Sequence, residues 1–158
     1  MAHRVRIEAH GAGLGGAPRS SAGATFPCCL RAASLKWCVP RKEPGAPAAL
    51  SGAMVRTVRG EGGLFDAADV ACAVRTPNVH HPISKMLVAE NTQNRGGGTV
   101  WRMDRWERVS GEARKHGLHV HVDGARLFNA CVAGGYAPDA FARHADTLSV
   151  CFSKALGC

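Results

Sequence analysis

His119, His121 and Asp123 stand at alternate positions in "HVHVDGAR", separated by two valines and followed at once by Gly124, Ala125 and Arg126. Alternate residues of a strand share a face, so two imidazoles and a carboxylate could be offered to one metal ion. A binuclear metallo-hydrolase motif begins in the same way but continues with a histidine, and here Gly124 takes that place. For His119 the simpler alternative is a structural role, packed and hydrogen-bonded within a parallel sheet. A second chemistry is suggested by Ser153 and Lys154, which close the apolar run in "DTLSVCFSKALG". Burying an ammonium at the end of an apolar strand is costly unless its amine is used, and burial turns that amine into a nucleophile toward an aldehyde. A carboxylate at the same edge, Asp123, suits the protonated ring nitrogen of pyridoxal phosphate.

Both chemistries depend on what positions these residues. Asp66 can cap a helix over "AADVACAVR", with Asp69 near its start and Pro77 and Asn78 ending the unit. "SKMLVAEN" reads as a buried strand. "DRWERVSGEARKHG" reads as a helix with Trp106, Val109 and Ala113 on one face and Gly117 just past its end. "LHVHV" is a second strand, "ARLFNACVA" and "PDAFARHA" are short helices, and "DTLSVCF" is a third strand. The alternation predicts an α/β fold: a mostly parallel sheet built by right-handed crossovers, with helices on both faces. Ligands of such sheets sit outside the carboxyl ends of the strands. That edge would gather Glu90, Asn91, Asp123, Ser153 and Lys154.

The 158 residues suffice for one core. Residues 1–50 carry Gly, Pro and Ala runs without a sustained period and read as a disordered or irregular basic leader. Their formal G-x-G-x-x-G at Gly11, Gly13 and Gly16 follows no apolar strand and is a chance match. The net charge of +8 divides into +7 for residues 1–60 and +1 for the remainder, so no basic stripe for nucleic acid runs along the patterned part. Seven cysteines without a C-x-x-C pair argue against a disulfide framework or a zinc finger. No apolar run suits a membrane span. The expected compartment is cytoplasmic, with mitochondrial as the alternative because the leader bears Arg and Ser and few acids.

Three blocks, "AENTQN" followed by "GGGTV", "VHVDGARLFNA" and "DTLSVCFSKALG", together resemble consecutive signatures of the threonine aldolases. These are fold-type-I pyridoxal phosphate enzymes of the aromatic amino acid beta-eliminating lyase and threonine aldolase group. The resemblance implies that residues 51–158 form an incomplete pyridoxal-phosphate-binding large domain. It makes Lys154 the lysine that forms the Schiff base, Asp123 the partner of the pyridine nitrogen, Ser153 a cofactor contact and Arg126 the fork that binds the substrate carboxylate. It also matches His80 to a histidine near the substrate hydroxyl. The implied reaction is retro-aldol cleavage of a β-hydroxy-α-amino acid, threonine or allo-threonine, to glycine and an aldehyde, in a homo-oligomer, dimer or tetramer.

The chain departs from that pattern in three ways. Residues 1–50 match neither the phosphate loop nor the ring-stacking histidine of the family, Gln93 stands where the family usually has His, and the chain ends four residues after Lys154. The resemblance therefore implies a truncated member. A non-catalytic fragment or decayed gene product of the family is the alternative, and a metal-dependent hydrolase using His119, His121 and Asp123 is the third reading.

Overall fold

The computed structural model describes two strands in the first fifty residues by their backbone, and residues 53–75, 78–80, 82–154 and 156–158. In chain order the elements are β1 (Arg6–His10), β2 (Leu30–Ala33), β3 (Met54–Thr57), α1 (Ala67–Ala73), β4 (Ser84–Glu90), α2 (Met103–Lys115), β5 (His119–Gly124), α3 (Leu127–Gly134), α4 (Pro138–Ala142) and β6 (Thr147–Cys151). The strands form one sheet in the order β1-β6-β5-β4-β2-β3, and every neighbouring pair is parallel. Helices flank the sheet on both sides.

The three expected strands and the helices between them lie where the periodicity puts them. The sheet nevertheless has six strands. β1 and β2 fall in the stretch expected to be irregular, and β3 just after it. Their sequences, "RIEAH", "LRAA" and "MVRT", are too short and too mixed to show a period. Pairing of β1 with β6, of β2 with β4 and of β3 with β2 supplies the backbone hydrogen bonds that local preference does not announce. The rest of residues 1–52, with the glycine motif at Gly11, Gly13 and Gly16, lies outside the described residues, as do Pro77 and His81.

The core follows from alternation along the strands. Leu87, Ala89, Val120, Val122, Leu148 and Val150 are buried, while the residues between them are half-buried or exposed. Against them lie Trp106, Val109 and Ala113 of α2, all fully buried and spaced for one helix face. α2 ends at His116, and Gly117 has a φ of 66°, the left-handed conformation that glycine adopts without a Cβ penalty. Arg105 ties α1 to α2, its Nε 2.9 Å from Asp66 Oδ1 and within 3.1 Å of the Phe65 carbonyl. Among the described residues no helix is long and apolar enough to cross a membrane.

Candidate active site

Because the strands are parallel, all of their carboxyl ends share one edge. There the Cα of Glu90 on β4 is the register partner of Asp123 on β5, which in turn pairs with Ser149 on β6. Asn91 N–H donates to the Asp123 carbonyl at 2.9 Å and prolongs the ladder past the end of β4.

The Asp123 side chain shapes the turn that follows it. Its Oδ1 accepts the Ala125 N–H at 3.1 Å, an Asx-type turn that brings the chain round to Arg126, the residue capping α3. Gly124 is required here for reasons of space. A Cβ at that position would lie 2.7 Å from the Ser149 carbonyl oxygen and 3.2 Å from Leu127 Cβ. Gly124→Ala is therefore expected to push β5 off β6 and to lower unfolding stability by about 2 to 3 kcal/mol, the scale of overpacking against backbone. Urea denaturation checks this, and a wild-type midpoint would mean that the two strands are not so close.

Glu90 is the electrostatic centre of the edge. Its carboxyl is held above the ordinary range, first by burial and then by the charge of Asp123, against the lowering influence of the Asn94 N–H, Arg126 and Lys154. Asp123, Arg126 and Lys154 thus all act on one carboxylate. Its Oε2 is buried without a hydrogen-bond partner. Arg126 and Asp123 are half-buried, whereas Ser153 and Lys154 are exposed, with Ser153 Oγ 3.6 Å from Cys151 Sγ. The burial expected to activate the Lys154 amine is not found, because β6 ends at Cys151 and Lys154 lies in the turn beyond it.

The loop between β4 and α2 buttresses Glu90 from behind. Trp101 Nε1 donates to the Glu90 carbonyl at 3.1 Å, and the buried Asn91 donates through Nδ2 to Tyr136 Oη at 3.0 Å. Gln93 is also buried, its Oε1 accepting the Gly96 N–H at 2.5 Å and its N–H donating to the Thr99 carbonyl at 2.9 Å. In this chain Gln93 thus closes the glycine-rich loop.

His80 is not brought to this edge. It is exposed in the turn that enters β4 at its amino end, with its backbone N–H donating to Asn78 Oδ1 at 2.9 Å. The His-His-Asp comb does lie along one face of β5, but its members are engaged by different neighbours. His121 Nδ1 is 2.7 Å from Thr147 Oγ1, and His119 Nδ1 is 3.8 Å from Asp146 Oδ2. Among the described residues no group of three or more His, Cys, Asp or Glu side chains could hold a metal ion. The metal reading of the comb is corrected accordingly: alternation puts its members on one face, and strand rise then spreads them along it. Glu90 is what reasoning from sequence left without a role. Its position as the first charged residue after "MLVA" was visible, but its cross-strand partner was not.

A parallel α/β sheet with a lysine, two carboxylates and an arginine at its carboxyl edge has the make-up of a pyridoxal phosphate enzyme's large domain. Threonine aldolase from Leishmania major shares the fold, with a TM-score of 0.64 at 24% identity over 77% of this chain and 35% of that one. Residues 39–158 match the family described as beta-eliminating lyase, and the chain belongs to that family. An Arabidopsis thaliana relative named "Probable low-specificity L-threonine aldolase 2" is 40% identical over 118 residues, covering 73% of this chain and 33% of the relative. A second from the same plant, "Low-specificity L-threonine aldolase 1", is 35% identical over 118 residues, again covering 73% of this chain and 33% of the relative. The chain thus spans about a third of the length of these curated relatives. Membership implies a pyridoxal-phosphate-dependent fold.

Proposed function

We propose that the protein is a pyridoxal-phosphate-dependent lyase of threonine-aldolase type, cleaving threonine or allo-threonine to glycine and an aldehyde. The observation that carries the reading is that Asp123 at the end of β5, Arg126 in the turn after it and Lys154 in the turn after β6 stand at the carboxyl ends of two adjacent parallel strands. This donor set suits the cofactor: an exposed amine for its aldehyde, a carboxylate for its ring nitrogen and a guanidinium for the carboxylate of the amino acid. When bound, pyridoxal phosphate supplies an electron sink for the pair released as Cα–Cβ breaks. Lys154 holds the cofactor, and Ser153 lines the same turn. Asp123 keeps a proton on the ring nitrogen, one of its oxygens already spent on the Asp123–Arg126 turn. Arg126, half-buried, orients the substrate through paired N–H donors, for which guanidinium geometry is preorganised. His80 is left out of this assignment because it precedes the opposite end of β4. Residues 51–158 form part of the cofactor-binding domain, and the working unit is a dimer or tetramer.

The experiment is a visible spectrum of the purified chain with pyridoxal phosphate, then borohydride reduction and peptide mapping, with glycine release from threonine as the second assay. A new absorption band, a reduced adduct on the peptide holding Lys154, and glycine formation are expected. A folded chain, by circular dichroism, that gives no band and no adduct would instead favour a family member that keeps the fold without the chemistry.

A further inference from the structure

Glu90 takes no part in the assignment above, yet it occupies the centre of the edge. As register partners on adjacent parallel strands, Glu90 and Asp123 project to the same side of the sheet. The Glu90 Oε2 is buried with no donor. An ionised oxygen so placed carries a desolvation penalty, and a neighbouring carboxylate adds to it. A proton on Oε2 relieves both. Arg126, from the turn after β5, and Lys154, from the turn after β6, favour the ionised form. The proton is therefore balanced between one anion and two cations. With it in place, the formal charges of Asp123, Arg126 and Lys154 leave the edge positive, and without it the four charges cancel.

We propose that Glu90 is a positioning residue for anionic ligands: by holding or releasing one proton at Oε2, it sets whether Asp123, Arg126 and Lys154 present a positive or a neutral face to an amino-acid carboxylate and a phosphate-bearing cofactor. The choice of ligand rests on the function proposed above, while the proton rests on the geometry of the two strand ends. The burial and the Asp123 charge that hold Glu90's carboxyl above its ordinary range support it.

The first test is a pH titration of the full chain, free of cofactor and labelled with ¹³C at glutamate carboxyls, with Glu90 assigned from E90Q. Glu90 is expected to titrate above the other glutamates, Asp123→Asn to lower its midpoint and Arg126→Gln to raise it. Lys154→Gln, at an exposed position, is expected to act in the same direction as Arg126→Gln and secures the cationic side should Arg126→Gln fold poorly. Opposite signs distinguish charge coupling from general loosening, which would carry every variant toward the ordinary value. A Glu90 that titrates with the other glutamates and ignores Asp123→Asn overturns the proposal, as does loosening alone.

The second test uses pyridoxal phosphate as the probe. Wild-type affinity is expected to fall by about three- to tenfold as pH rises through the Glu90 midpoint, the scale of one added like charge in a partly screened site. E90Q should lack that fall, and the pH dependence arising from the cofactor and the other residues is common to both proteins. An E90Q chain with the wild-type pH profile overturns the ligand half of the proposal. If neither protein binds the probe, the cofactor reading and the ligand half fall together, and the carboxyl titration still decides the proton.

Discussion

Lys154→Ala is expected to leave the unfolding midpoint of the chain where it is and to remove the cofactor band, the borohydride adduct and threonine cleavage together. The first half follows from exposure: the side chain lies in the turn after β6, outside the core, where substitutions usually change stability by less than about 0.5 kcal/mol. The second follows from chemistry, since alanine has no amine to offer an aldehyde. Loss of a nucleophile that acts as a unit with its partners lowers rates on the order of a thousandfold or more. Lys154→Arg separates the amine from its charge. Guanidinium remains protonated and cannot attack a carbonyl, so the arginine chain should keep the charge balance around Glu90 and be as inactive as the alanine chain. Peptide mapping decides the matter. An adduct that persists in Lys154→Ala and maps to Lys85 on β4 or Lys115 on α2 would remove Lys154 from the proposed site.

What could be read from the sequence and what could not divide along a physical line. β4, β5, β6 and α2 were legible because each buries a whole face, so burial writes a period of 2 or 3.6 into the residues themselves. Trp106, Val109 and Ala113 are the clearest case, three apolar residues at helical spacing that are all fully buried. β1 and β2 carry no such record. They hold their place by backbone pairing with strands distant in the chain, β1 with β6 and β2 with β3 and β4, and pairing leaves little trace in side-chain pattern. The edge shows the same division. Parallel strands alone bring Asp123, Ser153 and Lys154 to one end of the sheet, and alternation alone predicts that. The pairing of Glu90 with Asp123 is a matter of register between strands separated by a 13-residue helix, and no local pattern encodes it. His80 shows the converse: it is near Glu90 along the chain, but β4 lies between them and carries Glu90 to the far end.

The same edge depends on a stack of rings well behind it, so that Trp106→Ala should be the most destabilising single change in the core. Trp106 is fully buried, with its ring 5.5 Å from Trp101 and stacked on Phe141 at 4.9 Å, and its Nε1 donates to the Phe141 carbonyl at 3.1 Å. Truncating a buried aromatic to alanine removes about 3–5 kcal/mol of stability, and here the Phe141 carbonyl also loses its donor. Small domains hold only about 5–15 kcal/mol in total, so the urea midpoint should fall steeply. Trp106→Phe retains a ring and most of the volume and should lose distinctly less. Trp101 carries the loss toward the active edge, since its Nε1 is what holds the Glu90 carbonyl and its N–H lies 3.4 Å from Asn91 Oδ1. A cavity left by Trp106 frees Trp101 to shift, and the end of β4 shifts with it. In the carboxyl titration, Trp106→Ala should therefore move the Glu90 midpoint toward the ordinary value even where the chain is still folded, while Trp106→Phe should leave it in place. A Trp106→Ala chain with an unchanged midpoint in both urea and pH would mean that the aromatic stack neither supports the core nor reaches the carboxyl edge.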